Sequence, residues 1–162
     1  MMSDTRDESI HIERVSLDDS VQIEEAIKLL SEFSAEHEGP ISWPAQASLP
    51  KLFRRHHAII HLARIDGIGV GVSLCQLNLI SFQGSEALNL HDLYVIPSAR
   101  GQGVGRRLLE QLIREARALG SPRMTLEVAA TNAAGRALYR SCGFRMPEDG
   151  NEETLFLANP LD

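Results

Sequence analysis

The run Arg100-Gly101-Gln102-Gly103-Val104-Gly105 constrains this chain most, because it stands between a strand pattern and a helix pattern. Upstream, Leu88, Leu90, Leu93 and Val95 give a mostly alternating apolar series that ends at Pro97, as a strand leaving a sheet should. Downstream, Val104, Leu108, Leu109, Leu112, Ile113, Ala116 and Leu119 recur at helical spacing, and Gly120 with Pro122 supplies the stop. A helix start leaves backbone N–H groups without partners and carries the positive end of the macrodipole. Strand, glycine loop and helix together therefore make an anion site. Glycines admit a phosphate where a Cβ would collide. Spelling excludes two phosphate loops: no Lys-Ser or Lys-Thr follows the last glycine, and Arg106 stands where a dinucleotide fingerprint needs glycine.

A chain of 162 residues with 43% hydrophobic content suits a single domain over 1–162, and no linker, repeat or low-complexity tract divides it. No apolar run approaches the roughly 20 residues of a membrane span. Met1 to Glu8 is polar and acidic, unlike a signal peptide, so the expectation is a cytoplasmic protein with no membrane partner. Cys75 and Cys142 give no disulfide framework and are expected to be buried, reduced thiols. The formal charge of −6 argues against a nucleic-acid partner. That average hides an asymmetry: residues 100–145 hold nine Arg against Glu110, Glu115 and Glu127, a net +6, and the rest holds seven basic and nineteen acidic groups, a net −12. A basic stretch around an anion loop suits a polyphosphate, and an acidic remainder could draw a cationic acceptor.

The first strand is expected over Ile10 to Val15. Asp19-x-x-Gln22 resembles a capping box opening an amphipathic helix that ends near Gly39-Pro40, and a weaker helix covers Gln46 to His56. His57 and His61 are spaced i, i+4, but Ala58-Ile59-Ile60 between them reads as strand and no Cys or carboxylate ligand is near, so no metal is expected. Ala58 to Ile65 and Val70 to Leu79 form a hairpin across Asp66-Gly67, and Ser81 to Glu86 links it to the strand before the glycine loop. Met124 to Ala129 alternates as another strand. Asn132 is an N-cap for a short helix stopped by Gly143, and Glu153 to Ala158 supplies the last strand.

Arg100-x-x-Gly103-x-Gly105, preceded by Leu93-Tyr94-Val95-x-Pro97, resembles the acetyl-CoA-binding motif of the GNAT family of N-acetyltransferases. Asn132, Tyr139 and Gly143-Phe144 match that family's second block. The resemblance is dense over 88–144; Gly135 departs from it, at a position where the family often has alanine. It implies an α/β (α+β) fold with a mixed, largely antiparallel twisted sheet flanked by helices. It also implies an enzyme moving an acetyl group from acetyl-CoA to a primary amine of a small molecule or peptide. The rival readings are a noncatalytic acyl-CoA sensor and a transferase for a longer acyl group. Homodimerisation is common in the family, so a homodimer is one expected assembly.

By that resemblance the pantetheine arm lies along Leu93, Tyr94 and Val95, and the pyrophosphate sits on amides of Gly101, Gln102, Gly103, Val104, Gly105 and Arg106, with charge from Arg100 and Arg106. Asn132 touches the pantetheine, and Tyr139 serves as general acid to the departing sulfur. A thiol pKa of about 8.5 against a phenol of about 10 makes full proton transfer uphill by roughly 2 kcal/mol, so the transfer is expected to be concerted. The base is His91 or Glu127, the latter through water. Asp92 receives no role. Phe33, Trp43 and Phe53 are acceptor-pocket candidates by resemblance, with core packing the better expectation for each.

Overall fold

The computed structural model describes residues 9–145 and 154–161. Along the chain run β1 (Ile10–Arg14), α1 (Ser20–His37), α2 (Trp43–Arg55), β2 (Ile59–Ile65), β3 (Ile68–Ile80), β4 (Ser85–Val95), α3 (Val104–Ala118), β5 (Arg123–Ala129), α4 (Ala133–Ser141) and β6 (Thr154–Pro160). The six strands form one sheet in the order β1-β2-β3-β4-β5-β6. β1 with β2 and β5 with β6 are antiparallel, and β4 with β5 is parallel. A parallel pair needs a crossover, and α3 supplies it. The α/β class with a mixed, mainly antiparallel sheet expected from the sequence is the observed one. Met1 to Glu8, and Glu153 at the expected start of the last strand, lie outside the described residues.

Local chemistry explains most element ends. Asp19 Oδ1 accepts from the N–H groups of Val21 and Gln22 at 2.9 and 3.2 Å, capping α1. The Gln22 side chain, however, accepts from Ser16 N–H at 2.8 Å, because Asp19 N–H is already bound to Ser16 O. The expected capping box therefore closes on the turn before the helix. α2 starts at Trp43, earlier than expected, since Pro44 sits in the first turn where a missing N–H costs nothing. The β2–β3 turn has Asp66 at φ 51° and Gly67 at φ 79°, as a two-residue hairpin turn of matching twist requires.

Two compact units divide the chain: one holds residues up to Leu74 with Asp92–Leu108, and the other holds Cys75–His91 with the chain from Leu109 onward. In the first unit, Ile23, Ala26, Ile27 and Leu30 of α1 are buried with Phe53, Ile60, Leu62, Val72 and Tyr94. A second cluster there joins Ile10, Ala63, Val70, Ala99, Val104 and Leu108. Gly71 belongs to the same unit, and a Cβ on it would lie 3.1 Å from Tyr94 O and 3.2 Å from Val104 Cγ1 and Leu108 Cδ1. Its missing side chain lets the first turns of α3 lie against β3. In the second unit, the β5–β6 ladder runs from Arg123↔Pro160 to Ala129↔Thr154, and Met124, Leu126, Val128, Leu155 and Leu157 are buried. Among the described residues no helix is long and apolar enough to cross a membrane.

Candidate functional site: a glycine loop, a cavity and a capped helix

β4 ends at Val95, Pro97–Ala99 forms a 3-10 turn, and the loop opens α3 at Val104. The β4–β5 ladder pairs Leu88, Leu90 and the residue between them with Met124 to Leu126, so Leu93, Tyr94 and Val95 lie beyond its last pair. Gly101 and Gly103 have φ of 74° and 89°, and a Cβ at either would meet nothing within 4 Å. Glycine is thus demanded there by backbone conformation, and the space beside it is open. Arg107 N–H closes the first helical bond on Gly103 O at 3.0 Å, so the amides of Val104, Gly105 and Arg106 precede any intrahelical acceptor. The Val104 side chain is buried, which leaves only its backbone to a ligand. Gln102 is turned back by a bond from its amide to Ser98 O at 3.0 Å.

Arg100 is held by its own surroundings. Its Nε donates to Val95 O at 2.8 Å, and its Nη2 donates to both Glu36 carboxylate oxygens at 2.9 and 2.8 Å. The Tyr94 hydroxyl donates to the same carboxylate at 2.9 Å, the Arg100 guanidinium lies 5.6 Å from the Tyr94 ring centroid, and Phe33 stacks on Tyr94 at 5.5 Å. Arg100, then Tyr94, lowers the Glu36 carboxyl below its ordinary range, and burial followed by Glu36 raises the Tyr94 phenol above its own. Sequence offered no sign of Glu36, which is far from the loop in the chain and carries no motif.

Beside this network the first unit holds a cavity of about 350 Å³ between α1, α2, β3 and β4. Phe33 and Phe53 line it, and so does Asp92, which the sequence left without a role. Phe53 is also core, as expected. Trp43 corrects the expectation of core packing: it is 77% exposed, at the first turn of α2, and borders a different and larger groove along α1. His57 falls in a left-handed turn at φ 49°, ahead of β2, and His61 is buried within β2, so the pair shares no helical face. Cys75 is buried, whereas Cys142 at the end of α4 is only half-buried.

In the second unit Asn132 caps α4, its Oδ1 accepting from Gly135 N–H at 2.9 Å. A Cβ on Gly135 would sit 2.7 Å from the Asn132 amide nitrogen, so the departure from alanine there makes room for this cap. Tyr139 is 9% exposed and meets Phe144 edge-on at 5.9 Å. His91 and Glu127 each follow the last paired residues, Leu90 and Leu126, and both are exposed. Asn89, on the His91 side of β4, is occupied by bonds to Thr125 Oγ1 and O at 2.9 and 3.3 Å.

An uncharacterized N-acetyltransferase of Archaeoglobus fulgidus is 35% identical over 92 residues, covering 56% of this chain and 63% of that protein. The [ribosomal protein bS18]-alanine N-acetyltransferase of Escherichia coli is 40% identical over 81 residues, covering 44% of this chain and 55% of that enzyme. The matches thus span less than two thirds of either relative. In fold, the chain is similar to yncA of Salmonella typhimurium, solved with its cofactor acetyl-CoA, at a TM-score of 0.74, 18% identity and 95% coverage of both chains. Residues 23–144 match the model of the Acetyltransferase (GNAT) family, and the chain belongs to that family.

Proposed function

We propose that residues 1–162 act as one acetyltransferase domain, moving an acetyl group from acetyl-CoA to a primary amine of a small molecule or peptide by direct attack. The observation that carries this reading is the open backbone at Gly101 and Gly103, at the start of α3, whose first intrahelical bond is made only by Arg107 N–H. A pyrophosphate fits such a place by charge and by room. The Gly101–Arg106 amides and the charges of Arg106 and Arg100 would hold it, the Arg100 charge being partly offset by its pairing with Glu36. Leu93, Tyr94 and Val95 offer backbone groups beyond the β4–β5 ladder, which an extended pantetheine arm can meet as an added strand. Asn132 contributes a polar side chain at the start of α4.

Bound acetyl-CoA supplies the activated acyl group. A backbone N–H of β4 stabilises the developing oxyanion. Tyr139 donates its phenolic proton to the departing sulfur as the C–S bond breaks, and the proton that the attacking nitrogen sheds on becoming an amide restores the phenol. His91, or Glu127 through water, takes the proton from the ammonium, since only the neutral amine attacks. The proposed setting is the cytoplasm, in keeping with two cysteines that form no disulfide.

The test is twofold. A ligand that binds only the folded state stabilises by roughly 2.7 kcal/mol at a hundredfold excess over its dissociation constant, so acetyl-CoA should raise the melting temperature. An amine panel covering polyamines, amino acids, aminoglycosides and peptide termini should then release coenzyme A. Stabilisation without release by any amine would favour a sensor, and no stabilisation would remove the anion-loop reading.

A further inference from the structure

The cavity of about 350 Å³ points to the kind of amine accepted, an inference that rests on the transferase reading above. Of the six partly buried apolar side chains around the larger core cluster, Phe33, Ile41, Leu49 and Leu74 all line this one cavity. Unfilled apolar walls forfeit dispersion contacts that a fitting ligand would restore. The volume is at the low end for ligand sites, which commonly run from about 300 to 1,000 Å³. It therefore suits something near the size of one large side chain. The polar lining residues are Ser34, His37, Glu38 and Asp92, and the last two are carboxylates. Asp92 directly precedes Leu93, where the strand that would carry the pantetheine arm begins. The cationic end of an acceptor belongs there, next to the acyl group it attacks.

We propose that the acceptor is a primary amine borne on one compact apolar body, held among Phe33, Leu49 and Phe53 with its ammonium at Asp92. Polyamines and aminoglycosides fit poorly, because their further charged groups would lose water among apolar walls without a partner. A free amino compound and a peptide with an apolar first residue share this chemistry.

Four amines test it: phenylalaninamide, a tripeptide beginning with Leu, glycinamide and spermidine. Each is titrated calorimetrically onto the full chain in coenzyme A and then assayed for coenzyme A release. Phenylalaninamide or the Leu tripeptide should bind at least tenfold more tightly than glycinamide and spermidine, and the stronger of the two identifies the source. Leu49→Gln should narrow that preference, and Asp92→Asn should weaken amine binding about tenfold, each leaving the acetyl-CoA melting shift intact. Equal or tighter binding of spermidine or glycinamide would overturn the proposal, as would an unchanged preference in a folded Leu49→Gln protein. Selective binding that Leu49→Gln narrows, without release from any amine, supports the cavity assignment and instead counts against catalysis.

Discussion

Glu36 and Arg100 are joined by two hydrogen bonds of 2.9 and 2.8 Å from one guanidinium nitrogen to both carboxylate oxygens. The pair ties the C-terminal end of α1, which walls the cavity, to the first residue of the glycine loop. The Glu36 and Arg100 side chains are 34% and 49% exposed, so the pair contributes little to stability but neutralises the loop's leading charge. Glu36→Gln should therefore leave the melting temperature nearly unchanged while tightening acetyl-CoA binding several-fold, with a steeper loss in salt, since a freed guanidinium can meet a phosphate. Calorimetric titration at two ionic strengths measures this. Weaker binding with unchanged salt dependence would mean that Glu36 serves only to order Arg100.

The same carboxylate sets a pH dependence. Its folded pKa lies below the ordinary 4.5, with Arg100 the largest cause and Tyr94 the next. A depressed pKa contributes stability that is present above the unfolded value and is lost as pH falls through the folded one. Any melting difference between the native chain and Glu36→Gln should hold through neutral pH and vanish on acidification below about pH 4.5. A difference that grows toward acid would have the wrong sign for this ion pair.

Sequence disclosed what is written in short-range spacing. The strand, glycine loop and helix over Leu88 to Leu119, the Asp66-Gly67 turn and the Asn132 cap each depend on residues a few positions apart. The Glu36–Arg100 pair spans 64 positions, and Asp92 meets the cavity only because α1 and α2 are folded over β4, so neither left a local trace. Trp43 misled because large aromatics are usually buried and the second helix was expected to begin only at Gln46, whereas its place in the first turn of α2 leaves it facing out.

Gly103→Val should abolish most of the melting shift given by acetyl-CoA. At φ 89° any side chain is strained, by about 1 kcal/mol or more, so the protein will start somewhat less stable. Gly84→Val supplies the control, since Gly84 is also left-handed, at φ 58°, but lies in the turn before β4. Strain alone would lower both variants and preserve both shifts. Loss of the shift in Gly103→Val only is the expected result, and an unaltered coenzyme affinity in that folded variant would sink the phosphate reading.

Gly71→Ala addresses how β3 accommodates α3. The added methyl would meet Tyr94 O at 3.1 Å and two α3 side chains at 3.2 Å, tight contacts that include a backbone atom. Overpacking of this kind typically costs about 1–3 kcal/mol, and in a chain of this length each kcal/mol lowers the melting temperature by about 2–4 °C. Because the displaced backbone is that of Tyr94, acetyl-CoA affinity should fall as well. Denaturation monitored with and without acetyl-CoA separates the two effects, and a variant as stable as the native chain would show that α3 yields freely.

Tyr139→Phe separates a catalytic phenol from a packed aromatic. The ring is 9% exposed and rests edge-on against Phe144, contacts that phenylalanine preserves, so folding and acetyl-CoA binding should be nearly intact. If the ring serves packing alone, the rate of transfer to the best acceptor should scarcely change. General-acid assistance is typically worth about a hundredfold or more, so the proposed role predicts a loss of that size. Steady-state turnover could conceal it, because slow release of coenzyme A would mask a slower chemical step. Single-turnover mixing of preformed acetyl-CoA complex with the amine reports the chemical step directly. A fall of less than about threefold there, far below the general-acid range, would mean that water protonates the sulfur and that Tyr139 is a structural residue of α4.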